Sequence, residues 1–351
     1  MRKMGKPVRF GVVGTGVGAT FAARALKFLR EEGVAELVAV TSRKEARAKS
    51  FAEEWGAKSW YTNHLEMFRK EELDAAIITT PHYLHFPMAV DAIDSGLHVL
   101  VDKPMAISLR ECDEMISRAR KRGVKLGVIL QSRFDDKVQK IKRLVDEERL
   151  GRLILGEARV KWFRTQEYYD KSDWRGRWAT EGGGALINQA IHTIDLLLYI
   201  MGEPEVLWSQ WGTFTHSIEV EDLAVAMLRF RNGAFGVIVG STSIYPGLPT
   251  SLEIHGERGT AILEGESLKM VAIMGEETVS EEKKAGLASW ARPEAVPPTN
   301  HTRVIRDFSQ AVLEDREPKV NSEEGRRSIE LIRAIYASGR LGQAVAFPLK
   351  E

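Results

Sequence analysis

In the first third of the chain, apolar residues fall into two alternating patterns. Short continuous runs alternate with longer stretches in which apolar positions recur every three or four residues. The runs predict strands at 8–13, 36–41, 75–79, 98–101 and 126–130. The periodic stretches predict helices at 20–30, 45–55, 86–95 and 109–122. Short apolar strands separated by amphipathic helices are the signature of a parallel, doubly wound sheet.

The rhythm changes after Gln131. A helix is predicted at 134–148, with Phe134, Val138, Ile141, Leu144 and Val145 on its apolar face. Strand-like segments follow at 153–163, 206–212, 222–229, 235–241, 251–255, 260–263 and 267–271. Asn232-Gly233 joins two of them, the pairing that favours a tight antiparallel hairpin. We therefore expect an α/β chain of two domains. Residues 1–130 form a Rossmann doubly wound parallel sheet, and 131–351 form an α+β domain with a large, mostly antiparallel open sheet. Helices including 186–200 should cover one face of that sheet. The charged, proline-bearing stretch 276–300 reads as a loop, and the closing helices within 304–338 are candidates to pack back on the first domain.

At 351 residues the chain exceeds one ordinary hydrophobic core. Fifty Lys and Arg against 49 Asp and Glu leave a net charge of +1, so neither nucleic acid nor an anionic membrane is an expected partner. The single cysteine, Cys112, excludes an internal disulfide framework. No apolar run is long enough to span a membrane, and the basic first residues lead straight into a strand without a separate signal segment. A cytoplasmic protein without a metal site is the expectation.

Gly14-Thr15-Gly16-Val17-Gly18-Ala19 lies between a predicted strand and a predicted helix. In that context the glycines suit a dinucleotide: Gly14 for the tight turn, Gly16 for approach of a pyrophosphate, and Ala19 where the helix meets the strand. The second strand ends Val40-Thr41-Ser42-Arg43, without the acid that usually holds the ribose hydroxyls. Ser42 can bond a ribose hydroxyl, and Arg43 can stack on adenine or meet a 2′-phosphate, so NAD and NADP both stay open. Ligands in such folds sit at the carboxyl ends of the strands. Thr79, Thr80, Pro81, His82 and His85 after the third strand, Asp102 and Lys103 after the fourth, and Gln131 after the last are therefore expected to line the cofactor cleft.

The reacting groups are sought in two places. Lys103 ends a strand at Asp102-Lys103-Pro104. Residues 182–195 read GGGALINQAIHTID, in which Asn188 and His192 are four apart and His192 and Asp195 three apart on a predicted helix. Hydride leaves a secondary carbinol only as the hydroxyl proton departs, so a base is required. Lys103, His192, Asn188 and Asp195 form the expected catalytic set, with Lys103 and His192 facing a nicotinamide. Arg133, Lys161, Trp162, Arg164, Tyr168, Tyr169, Trp174, Arg175 and Trp178 form an aromatic and basic set. It suits sugar faces and anionic groups, or alternatively a subunit interface.

These motifs resemble the glucose-fructose oxidoreductase / inositol dehydrogenase (Gfo/Idh/MocA) family over nearly the whole chain. Asp102-Lys103-Pro104 is similar to the family's Glu-Lys-Pro, and Gly182–Gly184, Asn188 and His192 to its glycines, aspartate and histidine. The resemblance implies that His192 accepts the proton and Lys103 orients the substrate hydroxyl. It also implies a C-terminal sheet domain used for substrate and oligomer contacts, in a homodimer or homotetramer. Asn188 stands where the family has Asp. Either Asp195 orients His192 from its other side, or Lys103 carries more of the proton transfer. The Asn-Gln-x-Ile-His form, with Tyr168-Tyr169 and Trp174-Arg175-Gly176, resembles members acting on sugar nucleotides or substituted pyranosides. One such set oxidises the C3 hydroxyl of UDP-N-acetylglucosamine or its uronic acid. The expected function is hydride transfer between NAD(P) and a secondary hydroxyl of a sugar, sugar nucleotide or cyclic polyol. The alternatives are a glycoside hydrolase with an internal NAD redox cycle and a non-catalytic, nucleotide-dependent regulatory protein. The last would need neither Lys103 nor His192.

Overall fold

The computed structural model describes residues 6–280 and 297–350. β1 (Val8–Val13), β2 (Ala35–Thr41), β3 (Ser59–Tyr61), β4 (Ala75–Ile78), β5 (His98–Asp102) and β6 (Leu126–Ile129) make one sheet in the order β3-β2-β1-β4-β5-β6. Every neighbouring pair in it is parallel. Phe10, Val12, Ile77, Ile78, Val99 and Val101 are buried, as central parallel strands with both faces covered require. α1 (Val17–Glu31), α2 (Glu45–Trp55), α3 (His64–Lys70), α4 (His85–Asp94) and α5 (Leu109–Arg122) fill the crossovers. The expected parallel sheet is present, with one strand more than the periodicity indicates. β3 is three residues long and carries no readable alternation. α3 announces itself only by its cap, Asn63, whose side chain accepts from the Leu65 and Glu66 N–H groups.

The second sheet starts after α6 (Asp136–Asp146), which Asp135 caps at the Lys137 N–H. It contains β7 (Leu153–Lys161), which leads to the short α7 (Gln166–Asp170). A π-helical turn at Ala185–Ala190 then runs into α8 (Ile191–Met201). β8 (Pro204–Gly212), β9 (Leu223–Phe230), β10 (Phe235–Ser241), β11 (Ser251–Gly256), β12 (Gly259–Glu264) and β13 (Ser267–Ile273) follow. After α9 (Thr299–Leu313) and α10 (Ser322–Leu341), β14 (Val345–Ala346) completes the order β13-β12-β11-β7-β10-β9-β8-β14. Neighbours are antiparallel except β7 and β10. The expected Asn232-Gly233 hairpin joins β9 to β10, with Gly233 at φ 86° and Arg229 opposite Phe235.

The chain clusters into two compact units. The first runs to Gln131 and is rejoined by a later stretch that ends at Arg326. The second starts at Ser132 and takes the chain again from Arg327. α9 belongs to the first unit. Its Phe308 is fully buried, 6.3 Å from the Phe10 ring, and a Cβ on Gly127 would stand 3.0 Å from it. The Val128 N–H donates to the Val320 carbonyl at 3.1 Å, which ties the segment after α9 to β6.

In the second unit, the inner face of the sheet packs on the π turn, α8 and α10. Cβ atoms on Gly240 and Gly156 would press on Leu186 and on Leu197 and Met201, and Ser209 donates to the Ile335 carbonyl. The other face alternates out of the core. It carries Trp208, Val225, Met227 and Phe235, each between 41 % and 62 % exposed. Trp208 lies opposite Met227, and Met227 opposite Val237, so these side chains form one apolar patch across three strands.

Candidate active site

In the first unit the ends of β1, β4 and β5 converge on the start of α1. Gly14 has φ 115°, and a Cβ there would stand 2.8 Å from Thr79 Oγ1 and 2.9 Å from its carbonyl. A Cβ on Gly18 would overlap Asp102 Oδ2 at the end of β5. Above Gly16 a Cβ would meet nothing within 4 Å. The turn is thus closed behind Gly14 and Gly18 and open at Gly16. α1 begins there with no side-chain cap and no acid in its first turn, so its leading N–H groups are left to an anion. This arrangement fits the pyrophosphate of a dinucleotide. Gly18 is a further glycine that close packing demands, beside Ala19, which is fully buried.

Around this turn the expected cofactor residues divide. Thr15 donates to Ser42 Oγ at 3.2 Å, bridging the glycine turn to the end of β2. Val17 is 61 % exposed. Arg43 is exposed, whereas Arg47 lines a cleft of about 620 Å³ with Thr15, Gly16, Val17, Thr20 and Ser50. Arg47 carried no motif and was missed. Thr80 is half-buried, and its hydroxyl is buried without a hydrogen-bond partner among the described residues, as a ligand-facing group would be. Pro81, Asp102, Lys103 and Gln131 are half-buried, and Asp102 accepts the Lys103 N–H at 2.8 Å. Three of the expected residues are engaged by the protein itself. Thr79 donates its hydroxyl to the Val13 carbonyl and braces β4 to β1. His82 and His85 are buried, and both His85 ring nitrogens lie on main-chain carbonyls.

In the second unit the glycine run is a docking surface for a buried carboxylate. Glu221 Oε2 accepts the Gly184 N–H and Oε1 the Leu186 N–H, both at 2.8 Å, and Tyr336 donates to Oε1 at 3.0 Å. A Cβ on Gly184 would overlap the Glu221 carbonyl, and one on Gly183 the Tyr336 hydroxyl. The π turn that follows changes the expected geometry. Asn188 lies on its wider turn and His192, half-buried, on the first turn of α8, so the pair does not share one regular α-helical face. Asn188 instead donates to Glu181 Oε1 at 2.6 Å and lies 3.5 Å from the Tyr168 hydroxyl, which also accepts from Gln189 at 3.0 Å. Glu181 is fully buried, and its Oε2 accepts the Gly176 N–H. This carboxylate therefore holds the Trp174-Arg175-Gly176 turn beside Asn188.

Asp195 and Arg133 turn out to be partners of each other. The guanidinium makes a two-pronged contact, Nε to Oδ2 at 2.8 Å and Nη2 to Oδ1 at 2.7 Å, and Ser328 donates to Oδ1 at 2.8 Å. Both side chains are at most 5 % exposed. Asp195 as the orienting acid and Arg133 as a substrate contact are thus replaced by a buried ion pair that anchors α8. Tyr169 also leaves the substrate set, being buried with its hydroxyl on Thr242. Trp178 packs edge-on against Trp211 and Tyr336. What remains is a stack of cations on rings. Arg164 lies over Trp162 and Tyr168 at 5.2 and 5.3 Å, and Arg175 over Tyr168 and Trp174 at 4.6 and 4.9 Å. No carboxylate pairs with Arg175 among the described residues, and its Nε is buried without a partner.

Glu181, Glu221 and the His216–Asp222 pair (2.9 Å, both buried) were not picked out from sequence. For Glu221 and Asp222 the only signal was acidic residues abutting an apolar strand, at Glu219-Val220-Glu221-Asp222, and for Glu181 its place directly before the glycine run.

Two outcomes follow. Arg133→Ala should destabilise the protein by about 3–5 kcal/mol, because Asp195 is left charged and buried. Chemical denaturation measures this, and Arg133→Met with Asp195→Leu should recover most of the loss. A wild-type denaturation midpoint with weakened substrate binding would restore Arg133 to the substrate set. Burial pushes the Glu221 carboxyl up to about 7, against the pull of the Leu186 and Gly184 N–H groups and the Tyr336 hydroxyl. A folded-state value above the unfolded one contributes stability that is complete below the unfolded pKa and is lost as pH rises through the folded one. The wild type should therefore lose stability relative to Glu221→Gln between pH 4.5 and about 7, by on the order of 3 kcal/mol. Urea midpoints at either end of that window report it, and a difference that is flat or grows in the other direction contradicts it.

Residues 8–130 match the oxidoreductase family with an NAD-binding Rossmann fold, and residues 138–262 match the GFO/IDH/MocA C-terminal domain. The crystal structure of the WlbA dehydrogenase from Bordetella pertussis, in complex with NADH and UDP-GlcNAcA, is 30% identical. It covers 98% of this chain and 100% of that one, with a TM-score of 0.86. Myo-inositol 2-dehydrogenase of Thermotoga maritima is 27% identical over 72% of this chain and 74% of its own length. The uncharacterized oxidoreductase YrbE of Bacillus subtilis is 24% identical over 90% of each. No helix among the described residues is long and apolar enough to cross a membrane. With a glycine turn built for a dinucleotide and matches along both halves of its length, the chain belongs to the Gfo/Idh/MocA family of NAD-binding oxidoreductases.

Proposed function

We propose that the protein oxidises a secondary ring hydroxyl of a nucleotide-linked sugar that carries its own negative group, a uronic acid being the simplest case. One observation carries this reading: Arg175 lies over the Tyr168 and Trp174 rings, with a buried Nε–H that has no partner and no ion-paired carboxylate among the described residues. A guanidinium pre-placed in this way suits an anionic ligand group. Gln189 Oε1 is likewise buried without a partner among the described residues and suits a sugar hydroxyl or amide N–H. Support comes from the relative crystallised with UDP-GlcNAcA.

The nicotinamide ring would supply the hydride acceptor. The chain itself handles the proton. Lys103, at the end of β5, is placed to receive a bond from the substrate hydroxyl and to stabilise the oxygen as its proton leaves. His192 is the second proton-handling candidate, and Asn188, fixed by Glu181, is assigned to hold a substrate hydroxyl. The ribose end has Ser42, Arg43 and Arg47 and no acid at the end of β2, although Glu54 of α2 lines the same cleft, so NADP is accepted as well as NAD. The apolar patch of Trp208, Val225, Met227 and Phe235 is the face we assign to contact with a second copy, in a homodimer or homotetramer.

Turnover of UDP-GlcNAcA, UDP-GlcNAc and neutral inositols, followed by NADH absorbance, tests the reading. Oxidation of the acidic sugar nucleotide is expected; oxidation of inositols alone overturns it. Lys103→Ala should lower kcat by roughly 10²–10⁴ with NADH affinity, measured by fluorescence, little changed. Near-normal turnover would remove Lys103 from the chemistry. Arg175→Ala should raise KM for the uronic acid by about 10–100-fold, the loss of a charge-assisted contact, and that for UDP-GlcNAc by far less. Equal effects on both substrates would show that Arg175 does not read the sugar's charge.

A further inference from the structure

His85, the first residue of α4, is 1 % exposed. Its Nδ1 lies 2.6 Å from the Pro104 carbonyl oxygen and its Nε2 lies 2.7 Å from that of Thr80. A carbonyl oxygen only accepts, and a singly protonated imidazole donates from one nitrogen. With one proton, the ring would direct its second nitrogen's lone pair at a carbonyl lone pair across a direct contact. With two protons, both contacts become donating hydrogen bonds, of the short kind expected when the donor is charged.

The two carbonyls belong to neighbouring strand ends. Thr80 follows β4, and Pro104 follows Lys103 at the end of β5. These strands pair in parallel, with Ile78 opposite Val101. Thr80 also carries the buried, unpartnered hydroxyl described above. The groups facing the ring are few. Asp102 and Lys103 come from β5 and its end, and the His82 ring, from the turn before α4, is 5.9 Å away. Burial draws the ring's pKa down and Lys103 adds to this; the Pro104 carbonyl, Asp102 and the Thr80 carbonyl oppose them, and the net shift is below the ordinary histidine value. The contact geometry discriminates between the two forms.

We propose that His85 is a positioning residue for the dehydrogenase reaction: an imidazolium that straps the Thr80 and Pro104 carbonyls together and so fixes the main chain from which Lys103 projects. The strap holds Lys103 and the Thr80 hydroxyl in a constant relation, and its charge adds to the positive field at the Lys103 amine. The effect on turnover rests on the role assigned to Lys103 above; the proton count on the ring does not.

The first test is ¹⁵N NMR of the full-length protein labelled at histidine, with the His85 signals identified by their absence in His85→Gln. Both ring nitrogens should be protonated at neutral pH. One bare nitrogen there overturns the strap, whether or not a substrate has been found. The second test compares His85→Leu, which cannot donate, with His85→Gln, whose amide keeps two N–H bonds. Leucine should lower kcat by between about tenfold and 10²-fold, the scale of a misplaced catalytic group, with NADH affinity nearly unchanged. Glutamine should recover part of that loss. A leucine variant with wild-type kcat, or leucine and glutamine variants equally impaired, would reduce His85 to core packing. If the leucine variant does not fold, the glutamine variant and the NMR proton count still decide.

Discussion

A parallel sheet delivers every strand end to the same edge, and the first unit is built on that constraint. β1, β4 and β5 are neighbours, so Gly14, Thr79 and Asp102 arrive together at the start of α1. The approach is so close that neither Gly14 nor Gly18 has room for a Cβ. Crowding beneath the turn and open space above Gly16 are two sides of one arrangement. The uncapped N–H groups of α1 point into that space, and the polar ends of the neighbouring strands line its surroundings. Lys103 takes its place from the same register, one residue beyond β5.

In the second unit, order around the candidate substrate residues comes from buried carboxyl groups and the donors that hold them. Asp195 is tied to Arg133 and Ser328, Glu221 to the glycine run and Tyr336, and Glu181 to Asn188 and the turn that carries Arg175. Removing a carboxylate from water is costly; the donors offset that cost, and at Glu221 burial still outweighs them. The segment from Gly182 to Asp195 is therefore held at several points along its length. Asn188, on the wide π turn, is presented to Tyr168 and Glu181 instead of to its helical neighbours. Arg175 contrasts with these pairs, since its rings restrain it without neutralising it.

Much of this was legible in the linear chain. Apolar runs bounded by glycine and proline mark five of the six parallel strands because a strand covered on both faces needs apolar residues throughout. β3 escaped because three residues show no period. Gly14, Gly16 and Lys103 could be placed because short-range turn chemistry and strand ends define their surroundings. The substrate set was recognised by residue type alone, and type does not distinguish an arginine that faces a ligand from one that closes an ion pair. Arg133 and Arg175 look alike in sequence, and only their partners separate them: a carboxylate 62 positions away for one, two aromatic rings for the other.

By itself, the sequence determined the class of the fold, the nucleotide turn and the proton-handling candidates. All of these follow from periodicity and from contacts between residues near each other in the chain. Tertiary structure decided the rest. It turned Asp195, Tyr169, His85 and Thr79 inward, made Glu181 and Glu221 the anchors of the candidate site, brought Arg47 to the cleft and left Arg175 without an ion pair among the described residues. These outcomes depend on hydrogen bonds and ion pairs between residues far apart in the chain. The burial that makes such bonds strong is a property of the folded packing, which no local stretch of sequence contains.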